Sequence, residues 1–147
     1  MSDPLEGGCH CGASRYTLAV EAMPPVYCCH CLTCQSWSGS AFTEQAVVRE
    51  DAISASGPIV DYRFTNPSGT QSWQRVCGTC HTRLWNTNSA RPGIAMVRAG
   101  TLDASNTIEP RAHIWVKRKQ PWVVLREGMP AFEESAPLAE FTAILLH

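Results

Sequence analysis

The sequence has no long apolar run, no excess of either charge and no leader-like start, and each absence removes a class of function. Twelve basic residues face thirteen acidic ones, for a net charge of −1. Such a balance provides no global field for nucleic acid or an anionic membrane. The longest apolar stretches fall far short of the roughly 20 residues that span a bilayer as a helix. The opening Met1-Ser2-Asp3-Pro4-Leu5-Glu6-Gly7-Gly8 has neither a basic region nor an apolar one after it, so a soluble, cytoplasmic protein is expected. Internal repeats and low-complexity linkers are also absent. With 147 residues, 44% of them hydrophobic, the chain suffices for one domain with its own core, 1–147. What the chain does have is cysteine, eight in all. In a reducing compartment these are metal ligands or free thiols rather than disulfides.

Seven of the eight fall into three clusters: Cys9-His10-Cys11, Cys29-His30-Cys31-Leu32-Thr33-Cys34 and Cys77-Gly78-Thr79-Cys80. Close-spaced thiolates let one stretch of backbone supply several soft ligands to one zinc ion, which takes four in a tetrahedron. In extended chain, residues two apart point to one side and neighbours to opposite sides. Cys9 therefore chelates with Cys11 and Cys29 with Cys31, while His10, His30 and Cys28 point away. Cys34 follows Cys31 at the spacing of a helical turn, so the middle trio closes on one ion unaided. The outer pairs Cys9, Cys11, Cys77 and Cys80 are then left for each other. They close a loop of roughly 70 residues, and their ion would be structural. Two zinc ions per chain follow, one saturated and one open. Closure of the trio by a fourth ligand, His81 or His113, is an alternative. So is a redox site in which the trio forms a disulfide with Cys28.

Period-two stretches recur between Gly, Pro and Asn punctuation. They predict strands at Arg15 to Val20, Ala41 to Val48, Val60 to Phe64, Trp73 to Val76, Ile94 to Val97, Ile114 to Val116 and Trp122 to Leu125, mostly antiparallel. Two short helices are predicted, Leu32 to Trp37 before Gly39, and Leu138 to Leu145 behind Pro137. Trp73, Trp85, Trp115 and Trp122 are read as sheet packing. His81 is expected in a bend needing positive φ.

The ordered set Cys-x-Cys, Cys-His-Cys-x-x-Cys with Ser38-Gly39-Ser40 after it, and Cys-x-x-Cys resembles the glutathione-dependent formaldehyde-activating enzyme and centromere protein V family. Ala112-His113-Ile114-Trp115-Val116, Gln120-Pro121-Trp122-Val123 and Gly128-Met129-Pro130-Ala131-Phe132-Glu133 are similar to its C-terminal part. The resemblance implies a mainly β, Mss4-like zinc-binding fold. It implies a structural zinc at Cys9, Cys11, Cys77 and Cys80, and a zinc at Cys29, Cys31 and Cys34 that takes the glutathione sulfur as fourth ligand.

Three thiolates make the zinc a poor activator of water, whereas a fourth thiol bound there stays nucleophilic. The expected activity is thus a carbon–sulfur lyase on an adduct of glutathione, or another small thiol, with an aldehyde or related electrophile. Cys29, Cys31 and Cys34 are its catalytic ligands. A non-catalytic zinc module binding protein or nucleic acid is the competing reading; Lys117-Arg118-Lys119, the only basic run, is too short to favour nucleic acid. Arg49, Arg75, Arg83, Lys117 and Arg118 are candidate partners for the thiol's carboxylates, and Trp37 and Ser38 candidate pocket walls.

Overall fold

Most of the strands are short β-branched or aromatic stretches fenced by turn residues. The structure, a computed structural model, describes residues 4–146. In chain order these hold β1 (Leu5–Gly8), β2 (Arg15–Leu18), β3 (Val26–Cys29), α1 (Leu32–Ser38), β4 (Thr43–Arg49), β5 (Ile53–Ser56), β6 (Ile59–Thr65), β7 (Gln71–Cys77), β8 (Arg83–Asn88), β9 (Ile94–Arg98), β10 (Ala112–Ile114) and α2 (Leu138–Leu146). The protein is mainly β, as expected. Contacts divide the chain into two units, one running up to Pro24 with Ala46–Ile108, the other Pro25–Gln45 with Glu109 onward. β4 starts in the second and ends in the first. No described helix is long and apolar enough to cross a membrane.

In the first unit β1, β2 and β5 form a small antiparallel sheet, with Gly7 opposite Tyr16 and Tyr16 opposite Ala55. Gly7 is required there, because a Cβ would collide with the Tyr16 ring. β6, β7, β8 and β9 follow as an antiparallel meander. Its first hairpin closes through Asn66-Pro67-Ser68-Gly69, where the Gly69 N–H reaches Asn66 O at 2.8 Å and Gly69 takes φ 91°. Tyr16, Leu18, Cys77, Leu84, Ala95 and Val97 are buried. Burial of such side chains stabilises by about 1.5–3 kcal/mol for each large one. The alternation of Val60 and Tyr62 with Asp61 and Arg63 marks β6 correctly, but Val60 and Tyr62 stay half exposed.

In the second unit β10 lies parallel to β3, Ala112 beside Tyr27 and Ile114 beside Cys29. All four residues of β3 are buried. Phe141 of α2 packs edge-on against Tyr27 at 5.0 Å, and the Arg111 guanidinium donates to Leu145 O near the end of α2. The strand expected at Trp122–Leu125 is irregular chain. Of its apolar residues only Val123 is buried, at 8% exposure, Trp122 being 70% and Val124 90% exposed. The place beside β10 is taken by 130–134 instead: His113 N–H donates to Pro130 O at 2.9 Å and Phe132 N–H to His113 O at 3.0 Å. Strand Ile114 to Val116 is cut short because Trp115 turns left-handed, φ 59°, into a 3-10 turn over Val116–Arg118.

Candidate metal centres

Two sulfur clusters form, each wholly inside one unit. In the first unit the Sγ atoms of Cys9, Cys11, Cys77 and Cys80 lie within 4.8 Å of one another. Cys9 and Cys11 are 3.6 Å apart and Cys11 and Cys77 3.9 Å. A tetrahedron with Zn–S bonds of about 2.3 Å has sulfur edges of about 3.8 Å, so the donors fit zinc with little adjustment. Cys77 ends β7 and Cys80 closes a tight bend, while Cys9 and Cys11 occupy the turn after β1.

The surroundings favour thiolates. The Cys80 sulfur meets the Thr82 hydroxyl at 3.1 Å, and this bond first, with backbone N–H groups behind it, holds Cys80 down to about 5. Cys77 is lowered to about 7, chiefly by the Cys80 N–H and then Ser14. The Ser14 N–H donates to Cys9 Sγ at 3.2 Å. His81, just past the knuckle, has φ 65° as expected and stands outside the sulfur group.

In the second unit Cys29, Cys31 and Cys34 bring their sulfurs within 4.8 Å of one another, and no fourth Cys, His, Asp or Glu joins them among the described residues. Cys29 ends β3, Cys31 caps the N-terminus of α1 by accepting the Cys34 N–H at 3.3 Å, and Cys34 stands in its first turn. Gly39, φ 64°, terminates the helix with its N–H on Gln35 O, the usual left-handed stop. Cys31 ionises first: hydrogen bonds from Cys29 and then Cys34 hold it near 2. Cys29 is pushed up, foremost by the same bond to Cys31. One thiolate borrowing its neighbours' protons is the pattern that a soft cation replaces on binding. Gln45 Nε2, bonded to Thr43 Oγ1 at 3.1 Å, also reaches Cys34 Sγ at 3.8 Å.

His30 points away from the trio, as alternation requires. Its Nε2 meets His113 Nδ1 at 2.8 Å. Burial, then His113 and Lys119, lower His30 to about 4, and burial lowers His113 as well. Both rings are neutral at pH 7, and neither is a fourth ligand. Residue 30 is held from three sides: its N–H donates to Ile114 O at 3.0 Å, its carbonyl accepts from Gln35 Nε2 at 2.8 Å, and its ring meets His113. That clamp was not foreseen; Gln35, four residues beyond Cys31 on α1, was its one visible signal. Cys28 lies in register with His113. Burial, with Glu44, pushes its thiol up to about 12, so it stays protonated, and it stands outside the trio's cluster.

The candidate cations divide between the units. Arg49 pairs with Asp51 at 2.7 Å and Arg75 with Asp61 at 3.3 Å in the first unit, where Arg83 also lies. Lys117 and Arg118 share the unit of the trio; Lys117 reaches Glu134 at 3.3 Å, and the Arg118 carbonyl accepts from Gln35 at 2.9 Å. On α1, Trp37 and Ser38 follow Cys34 by three and four residues, and the Ser38 hydroxyl bonds Cys34 O at 2.8 Å.

The sequence profile of the glutathione-dependent formaldehyde-activating enzyme family matches residues 4–118. The chain belongs to that family. A relative from Halomonas elongata, provisionally named a glutathione-dependent formaldehyde-activating enzyme, is 25% identical over 132 residues, 81% of this chain and 79% of its own. An uncharacterised lyase of Schizosaccharomyces pombe is 29% identical over 89 residues, 59% of this chain and 61% of its own. In the crystal structure of a Rhodobacter sphaeroides protein the same fold recurs, with TM-score 0.56 and 17% identity, covering 86% of this chain and 98% of that one. Family membership thus agrees with a mainly β protein related to glutathione-dependent lyases.

Proposed function

We propose that the chain is a zinc-dependent carbon–sulfur lyase acting on the adduct of glutathione, or another small thiol, with an aldehyde or related electrophile. The observation that carries this reading is the contrast between the two clusters: four sulfurs in one and three in the other. A closed tetrahedron is a structural site, and a site one donor short keeps room for a ligand from outside. Zinc bound by Cys29, Cys31 and Cys34 would supply a soft cation that keeps an incoming thiol ionised at neutral pH.

The residues of the chain do the rest. Residue 30, fixed on three sides, holds Cys29 and Cys31 at the spacing of one ion. Gln45, anchored on Thr43, presents an N–H to Cys34 Sγ; such a donor draws charge off a thiolate and leaves the metal more open to a further ligand. In the lyase direction the C–S bond breaks, its electron pair stays on sulfur, and the hydroxyl proton of the adduct leaves as the carbonyl forms. Cys9, Cys11, Cys77 and Cys80 are proposed as the structural site. The family match crosses segments of both units, which supports reading 1–147 as one domain. All eight cysteines are free thiols, consistent with a reducing, cytoplasmic setting.

Metal analysis tests the scheme: two zinc ions per purified chain are expected. Cys31→Ser should lose one of them together with glutathione binding by calorimetry, yet remain folded. One zinc in the wild type, or undiminished thiol binding by Cys31→Ser, would leave a non-catalytic zinc module as the better reading.

A further inference from the structure

Along α1 the second unit carries an open depression of about 590 Å³ whose lining includes Leu32, Gln35, Ser36, Ala41, Gln120 and Trp122. That volume lies within the range of small-molecule sites. None of its lining residues is charged. Two of its walls are large apolar side chains left in water, Leu32 at 57% and Trp122 at 70% exposure. The indole is not loose: Trp122 Nε1–H donates to Gln120 Oε1 at 2.6 Å, and Gln120 Nε2 in turn donates to Gln35 Oε1 at 3.4 Å. Gln35 stands on α1 four residues after Cys31, the spacing that places two side chains on adjoining turns of one face. Leu32 and Gln35 are the chain neighbours of Cys31 and Cys34. The depression therefore opens on the helix that supplies two of the three sulfur donors.

We propose that this depression receives the organic substituent of the electrophile, so that the carbonyl compound handled by this protein is an uncharged aldehyde larger than formaldehyde, with an aromatic or branched aliphatic group. The assignment rests on the lyase reading and names its second substrate. An uncharged wall gives a carboxylate or ammonium no partner to offset its desolvation. The Trp122 and Leu32 faces gain by covering apolar surface. The chemistry balances without a further reagent. In the forward direction the thiol adds across C=O, forming one C–S bond, and its proton ends on the carbonyl oxygen; cleavage is the reverse.

The test has two arms on the zinc-loaded full chain. In the first, the indole N–H resonance of Trp122, assigned by its absence in Trp122→Phe, is followed during titration with benzyl alcohol and with benzoate. A saturable shift with the alcohol and none with benzoate is expected; no shift with the alcohol, or an equal one with benzoate, overturns the proposal. In the second, adduct turnover with glutathione is compared for benzaldehyde and formaldehyde. Trp122→Ala should lower the benzaldehyde-to-formaldehyde ratio of kcat/KM by about tenfold, and an unchanged ratio overturns the proposal. Formaldehyde turnover with no indole response leaves the lyase standing and removes this assignment. An indole response with no adduct formed from any aldehyde removes both.

Discussion

Tyr16 is 2% exposed on β2, with its hydroxyl 2.7 Å from Thr101 Oγ1 and its ring edge-on to Trp85. Burial raises its hydroxyl to about 12, against the smaller opposing effect of the Thr101 bond. In an unfolded chain the same group ionises near pH 10. Between those values the unfolded state gives up a proton that the folded state retains. Stability is therefore untouched below about pH 10, falls as pH rises from there, and levels off beyond about 12, a loss of about 2–3 kcal/mol in all. Tyr16→Phe separates this from every other alkaline effect. At pH 8 it should cost about 1 kcal/mol through the lost hydrogen bond. At pH 11.5 the variant should match or exceed the wild type. Denaturant unfolding of both proteins at the two pH values measures the difference; a gap that does not shrink would mean that the hydroxyl is solvated in the folded state.

At the scale of elements, α1 was readable almost to the residue, because Gly39 stops it and the Cys31–Cys34 spacing fits its first turn. The sulfur sets were readable for a related reason: side-chain alternation in extended chain and helical spacing are local rules, and every intra-cluster decision obeyed one. Strands β2, β4, β6, β7 and β9 were legible from period two. β1 carries Gly7-Gly8 and β5 reads Ile-Ser-Ala-Ser, with too little apolar patterning to show. β3, buried on both faces, has no alternation to read. Trp122 misled in the opposite sense, since a short apolar stretch marks a strand only where a sheet has a free edge for it, and 130–134 occupies that edge. Tertiary bonds such as Gln35 to the His30 carbonyl lie beyond any pattern in the chain. They are nonetheless testable. Gln35→Leu removes the donor from the peptide between two sulfur ligands and should weaken zinc at the trio by about tenfold, the lower end of what losing an outer-shell partner does. Competition with a chromophoric chelator would show one weakened site and one unchanged; equal weakening of both would mean that the substitution acts on general stability.

For the whole molecule, the decisive asymmetry is how much chain each cluster ties together. Cys29, Cys31 and Cys34 sit within one strand end and one helical turn of the second unit. In the first unit, Cys11 meets Cys77 across a separation of 66 residues. Loop-closure entropy grows as the logarithm of loop length, so a metal ion at the quartet constrains the unfolded chain by about 2 kcal/mol more than one at the trio. The quartet has four donors against three, and two of its thiols are lowered towards ionisation by hydrogen bonds from Thr82 and the Cys80 N–H. Metal release should accordingly come in two stages. A stepwise chelator titration, followed by a zinc dye and by circular dichroism, should withdraw the first equivalent with the β signal intact and thiol binding abolished. The second should come away only as the first unit unfolds. Cys77→Ser should merge the stages by removing the slow one and should lower folded yield, while Cys31→Ser should retain only the slow one. Release of both ions in a single step, with structure lost throughout, would mean that the trio carries as much of the folding energy as the quartet and that the division of labour drawn from the four-and-three arrangement is wrong.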